Sequence, residues 1–151
     1  MKQEIERKFL VEPKKLPALS RPQNIIQGYL SIEPEIRIRV VGRKAFLTIK
    51  TAGELNRKEF EYKIPRSDAK KLLEFTNFKI EKVRYFLNLN TSRWVIDFFQ
   101  GVNYPLVTAE IELPNEDFIF DKPLWIQKEV TLNHRFRSSY LSQHPFSSWK
   151  Q

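Results

Sequence analysis

Apolar and polar residues alternate with period two along most of this chain. The stretch 36–41 reads Ile-Arg-Ile-Arg-Val-Val, and 57–64 reads Arg-Lys-Glu-Phe-Glu-Tyr-Lys-Ile. Successive side chains of a strand point to opposite faces, so such alternation marks a strand with one apolar and one polar face. The pattern predicts strands over 4–11, 24–31, 36–41, 44–51, 57–64, 79–90, 93–100 and 106–113. Gly42-Arg43 and Asn90-Thr91-Ser92 read as hairpin turns, and Pro34, Pro65 and Pro114 interrupt the pattern. Helical spacing appears after Pro65, where Leu72, Leu73 and Phe75 form an apolar stripe with Ser67 as N-cap and Asp68 in the first turn. A second short helix is predicted over 138–143, capped by Ser138 or Ser139. Trp125, Ile126 and Val130 read as buried beside the segment 128–131, and Leu47, Ile49, Phe60, Tyr62 and Ile64 as core.

Mainly antiparallel strands with few helices predict a curled sheet closing into a barrel. The polar rows of those strands are unusual. They carry Glu4, Glu6 and Lys8 on the first strand, then Arg37 with Arg39, Lys50, Glu59 with Glu61, Lys82 with Arg84, Asp97, and Glu110 with Glu112. Asp97 shares its row with Val95 and Phe99. Two architectures fit: the charged face meets water, or it lines a wet lumen. Two short helices are too few to cover the apolar face, so the rest of its cover must come from connections, the C-terminal tail or a partner subunit. The signs also segregate. Arg37/Arg39 and Lys82/Arg84 are purely basic, while Glu4/Glu6, Glu59/Glu61 and Glu110/Glu112 are purely acidic. Arg offers bidentate geometry to phosphate oxygens. Paired carboxylates hold hard divalent cations.

Composition narrows the chemistry. The 151 residues are 41% hydrophobic and 29% charged, as in one folded domain spanning 1–151. The formal charge is +8 and dispersed along the chain, which favours an anionic ligand. There are no cysteines and only two histidines, His134 and His144. Disulfide frameworks and thiolate metal sites are excluded, zinc is disfavoured, and carboxylate ligands suit Mg²⁺ or Mn²⁺. The chain opens directly on charged residues and contains no long apolar run, so a cytoplasmic protein with no membrane partner is expected.

In this order, the motifs resemble the CYTH superfamily, the triphosphate tunnel metalloenzymes. The family's Glu-x-Glu-x-Lys signature stands as Glu4-Ile5-Glu6-Arg7-Lys8. Gln27-Gly28-Tyr29-Leu30, Arg37-Ile38-Arg39, Leu47-Thr48-Ile49-Lys50, Glu59-Phe60-Glu61-Tyr62, Lys82-Val83-Arg84-Tyr85, Trp94-Val95-Ile96-Asp97 and Ala109-Glu110-Ile111-Glu112-Leu113-Pro114 follow in the family's sequence. The resemblance is to the short, single-domain bacterial members. It implies an eight-stranded antiparallel β-barrel enclosing a charged tunnel, a triphosphate substrate and Mg²⁺ or Mn²⁺. It implies phosphate binding by Lys8, Arg37, Arg39, Lys50, Lys82 and Arg84. It also implies metal binding or water orientation by Glu4, Glu6, Glu59, Glu61, Glu110 and Glu112, with Asp97 as a further metal-side or water-positioning carboxylate. Glu4, Glu6, Lys8 and Asp97 are the candidate catalytic residues.

One position departs. Short bacterial relatives tend to read Glu-Val-Thr-Gly-Asp and then Arg-Tyr near the end; this chain reads Glu129-Val130-Thr131-Leu132-Asn133, then His134-Arg135-Phe136. Either the acidic residue is a turn residue, and Asn133 serves equally, or it helps a C-terminal lid close the tunnel.

The expected activity is metal-dependent hydrolysis of a triphosphate, inorganic triphosphate first. The alternatives are an adenylate cyclase of the same superfamily and a non-catalytic polyphosphate or nucleic-acid binding module. No adenine-recognition signature supports the cyclase. The aromatics share the apolar parity, and three acidic pairs would repel a nucleic-acid backbone, so no nucleic-acid partner is expected. A homodimer is expected if part of the barrel exterior lacks cover.

Overall fold

A computed structural model describes residues 1–150. The strands are β1 (Lys2–Val11), β2 (Gln23–Ser31), β3 (Glu35–Val41), β4 (Lys44–Lys50), β5 (Asn56–Ile64), β6 (Lys79–Leu89), β7 (Ser92–Phe99), β8 (Val107–Glu112) and β9 (Ile126–Glu129). Two helices, α1 (Arg66–Glu74) and α2 (Ser138–Gln143), complete the regular structure with short 3₁₀ turns. The strands form one sheet in the order β5-β4-β3-β2-β6-β7-β8-β1-β9, and a β5–β1 pairing closes it. The result is an eight-stranded antiparallel barrel with β9 as an extra strand. Closure removes the open edges that a sheet this long would otherwise expose.

The closing seam lies on β1. Residues 2–5 of β1 pair with β5, whereas Phe9 and Val11 pair with β9. Backbone groups of alternate residues point to the same strand edge. Glu6 N–H gives to Leu55 O and Lys8 O accepts from Val130 N–H, so β5 and β9 share one edge of β1. The other edge pairs with β8, with Glu6 opposite Glu112 and Lys8 opposite Glu110. The sequence pattern missed β9, because four residues carry no readable alternation.

The apolar rows face outward and are covered in two main places. Helix α1 lays Ala69 and Leu73 over Ile38, Val40 and Ala45. It can come this close because Gly28 on β2 lacks a side chain: a Cβ there would sit 2.9 Å from Thr76 Cβ and 3.0 Å from Leu73 Cδ2. The connection after β8 covers the opposite side, where Trp125 and Phe120 meet Trp94 edge-on at 5.2 and 5.6 Å. Each such aromatic pair contributes about 0.5–1.5 kcal/mol beyond its burial. The C-terminal segment closes one end of the barrel. There Ile80 and Phe99 extend the inward rows of β6 and β7, and Leu141 of α2 packs on them. The connection after β8 thus supplies exterior cover that two helices lack, while the C-terminal tail plugs one end of the barrel.

Some details correct the sequence reading. Helix α1 starts at Arg66 with Pro65 in the N-cap position and no side-chain cap, so Ser67 lies inside it. Likewise Arg137 occupies the cap of α2, and Ser138 is its first residue. Phe75 ends the apolar stripe in solvent at 76% exposure, and Tyr62 is 52% exposed on the barrel exterior. Among the described residues, no helix is long and apolar enough to cross a membrane.

Candidate active site

The inward rows enclose a cavity of about 280 Å³. Glu4, Glu6, Lys8, Arg37, Arg39, Lys50, Glu59, Glu61, Lys82, Arg84, Glu110 and Glu112 all line it. The charged face is therefore a lumen, and strand parity aims these side chains at one another. Asp97 does not line the cavity. It is buried on the inward row of β7, opposite Arg84, and accepts two bonds of 2.8 Å from Arg84 and one ion-pair contact of 2.8 Å from Lys82. Burial alone would raise its pKa, but Arg84 and Lys82 override this and hold Asp97 far below the ordinary carboxylate range. The structure thus pairs Asp97 with the cations and not with the carboxylate wall.

The charges fall into compensated and uncompensated groups. Lys50 contacts Glu4 at 2.8 Å and Glu59 at 3.4 Å. Lys8 contacts Glu110 at 3.0 Å. Burial pushes Glu110 up, yet Lys8 overrides it and brings the carboxyl down to about 2. The same contest, won by Lys50, lowers Glu4.

Glu6 has no ion-pair partner among the described residues. Burial and the neighbouring carboxylates Glu110 and Glu4 push it up to about 7. The opposite imbalance lies on β3. Arg39 bonds only the neutral Gln27 side chain, at 2.9 Å. Burial, Arg37 and Arg84 push its guanidinium down to about 9. The Nε of Arg37 is buried with no hydrogen-bond partner. Glu6 therefore lacks a cation in direct contact, and Arg39 lacks an anion. Burying an unpaired charge is costly, so a group of opposite sign entering the cavity would be favoured at each of these two residues.

Other lining residues escaped the sequence reading. Glu35 and Arg57 extend the inward rows of β3 and β5 and meet at 3.6 Å. Phe86 and Arg93 extend those of β6 and β7, and the guanidinium lies 4.2 Å from the ring centre. Strand parity places all four, and reading each row one position further would have found them. Arg137 also lines the cavity and donates to Gly53 O. It follows a 3₁₀ turn (His134–Phe136), where no periodicity could reveal it. Asn133 caps that turn by accepting from Arg135 N–H at 3.1 Å.

The CYTH domain family matches residues 2–145. The chain belongs to this family. An inorganic triphosphatase of Acetivibrio thermocellus is 39% identical over the full length of both chains. One of Nitrosomonas europaea is 34% identical, over 92% of this chain and 96% of its own. A crystal structure of an inorganic triphosphatase, 33% identical, matches with a TM-score of 0.68 over 92% of this chain and 97% of that one. The barrel is thus the CYTH fold.

Membership in this metalloenzyme family implies a divalent metal. Among the described residues, no three acidic, histidine or cysteine side chains are already gathered as a coordination shell. The donor chemistry nevertheless fits such an ion. Glu4, Glu6 and Glu110 present hard oxygens on adjoining walls, and Glu6 lacks a counter-charge.

Proposed function

We propose that this chain hydrolyses inorganic triphosphate inside the barrel, with Mg²⁺ or Mn²⁺ as cofactor. The observation that carries the reading is the paired imbalance in one cavity: half-buried Arg39 without an anion beside the unpartnered buried Nε of Arg37, and half-buried Glu6 without a cation in contact. A metal–triphosphate complex presents both missing charges together. The curated relatives are inorganic triphosphatases and support the same substrate.

In this reading Arg37, Arg39, Lys82 and Arg84 grip the phosphate oxygens, and Lys8 and Lys50 bind them from the carboxylate side. Glu4, Glu6 and Glu110 hold the metal from the depth of the tunnel, with Glu59 beside them and Glu61 and Glu112 near the rim. When bound, the metal supplies Lewis-acid stabilisation of charge on the phosphoryl oxygens. The basic wall fixes the chain of phosphates in line for attack by water and neutralises charge as the anhydride bond breaks. Water adds to a terminal phosphorus, pyrophosphate leaves, and the water's proton passes through the carboxylate wall to solvent. Asp97 acts through others by holding Arg84 and Lys82 in place.

Phosphate release from inorganic triphosphate, measured with Mg²⁺, with Mn²⁺ and with EDTA, tests this. Metal-dependent release that Glu6→Gln abolishes is expected. Failure of the wild-type protein to release phosphate with either ion would overturn the reading. Cyclic AMP from ATP in its place would make the chain a cyclase.

A further inference from the structure

Val130 and Thr131 border the cavity but supply none of the charges described above, and the Glu129-Val130-Thr131 segment is bonded to the Glu-x-Glu-x-Lys strand at three points. Lys8 N–H points to the edge of β1 that β5 has already left, and it finds no carbonyl there. It donates to Thr131 Oγ1 at 3.0 Å. The Thr131 hydroxyl in turn donates to Glu129 Oε2 at 2.6 Å. Both carboxylate oxygens of Glu129 accept from the Arg7 guanidinium, with Nε at 2.8 Å. Val130 N–H gives to Lys8 O at 2.8 Å. A closed ring of bonds therefore runs Lys8, Thr131, Glu129, Arg7. Arg7 faces outward, between the inward-facing Glu6 and Lys8. Its guanidinium is further held 5.2 Å from the Phe120 ring centre.

We infer that Arg7, Glu129 and Thr131 are positioning residues that lock the backbone between Glu6 and Lys8, and so set the spacing of carboxylate and ammonium inside the tunnel. The inference rests on the triphosphatase reading for its kinetic consequence. The sheet changes partner on this edge of β1, so over residues 6–8 the backbone bonds there are Glu6 N–H to Leu55 O and Val130 N–H to Lys8 O, and the Lys8 amide is left to Thr131. Partly exposed ion pairs add little stability by themselves. A bidentate pair relayed through a hydroxyl onto a backbone amide instead supplies orientation. Groups that orient a ligand from outside it typically matter by about 10–100-fold in metal affinity or activity.

The test compares wild type with Thr131→Val, Thr131→Ser and Glu129→Gln in the full chain. Three readouts are taken: hydrogen exchange at the Lys8 amide without metal, Mn²⁺ affinity without substrate, and kcat and KM for inorganic triphosphate. Expected for Thr131→Val are faster exchange at Lys8, Mn²⁺ binding weakened about tenfold and kcat lowered about tenfold, with KM unchanged because the arginine wall is untouched. Thr131→Ser restores all three, and Glu129→Gln shows the same split in milder form. Wild-type exchange and Mn²⁺ affinity in Thr131→Val would overturn the inference. So would a failure of serine to rescue, or a parallel fall in kcat and affinity that a lowered Tm fully explains. A wild-type protein without triphosphatase activity would sink the functional reading alone, since exchange and Mn²⁺ binding still judge the lock.

Discussion

Arg84 and Asp97 face each other across β6 and β7 and meet through two parallel bonds of 2.8 Å. Asp97 is only 1% exposed, so its charge persists because Arg84 and Lys82 surround it. Asp97→Asn leaves both cations in a buried wall without their anion. Removing one partner of such a group costs about 3–5 kcal/mol. The expected result is a matching loss of stability in urea unfolding near neutral pH, partly recovered by added triphosphate, which returns negative charge to the wall. The folded carboxyl titrates far below its usual range, so this contribution is present above about pH 4 and fades as pH falls further. An unchanged unfolding midpoint in Asp97→Asn would show that the cations do not depend on it.

Glu6 carries the opposite sign of shift. Its carboxyl titrates near 7 in the folded protein, against about 4.3 in an unfolded chain. Between those values the folded state binds more protons than the unfolded one, so this group makes stability fall as pH rises, and its effect is flat above the window. A divalent cation beside the ionised carboxylate offsets that loss. Thermal unfolding with and without Mn²⁺ should therefore show a larger stabilisation at about pH 8 than at about pH 5.5, where a proton must first be displaced. Equal shifts at both values would remove Glu6 from the metal wall.

The acidic pairs are not equivalent along the tunnel. Glu110 and Glu112 both point inward from β8, but the Glu110 side chain is 17% exposed and the Glu112 side chain 54%. Glu110 meets half-buried Lys8, whereas Glu112 meets exposed Lys2 at 2.6 Å. Glu110→Gln is expected to cut turnover about 100-fold. Glu112→Gln should change it by less than about fivefold, the scale of an exposed pair. Phosphate-release kinetics on the two variants decide the matter, and equal losses would mean that the metal sits at the rim.

Most of this site was legible because a strand's parity is strict. Once Arg37 and Arg39 share a row, Glu35 must join it, and the same step leads from Glu59 to Arg57. Parity does not say which neighbours a buried residue pairs with, so it could not show that Asp97, read as a metal-side or water-positioning carboxylate, bonds Arg84 and Lys82. It also does not say whether an outward row is covered. Phe60, Tyr62 and Ile64 look alike in sequence, but only Ile64 packs against the α1 cluster, and Tyr62 stands in solvent. Contacts between distant segments leave no periodic trace. The approach of Arg137 and Thr131 to β1 and the 51–54 connection depends on how the tail folds back, and only the three-dimensional structure shows it.

Asn133 stands where short bacterial relatives tend to carry an acidic residue, and it both caps a 3₁₀ turn and borders the cavity. Its side chain accepts from Arg135 N–H at 3.1 Å and so starts the 3₁₀ turn that leads to Arg137 and α2. A carboxylate would accept the same bond. Asn133→Asp is therefore expected to keep both Tm and turnover within about twofold of wild type. Asn133→Ala removes the acceptor and should lower stability by about 1 kcal/mol, as loss of a capping residue does. Because Asn133 also borders the cavity, the alternative is open to measurement in the same pair of variants. A rise in kcat of about tenfold or more in Asn133→Asp, with Tm unchanged, would mean that an acidic group here acts on the tunnel itself and that this chain has given up that contribution.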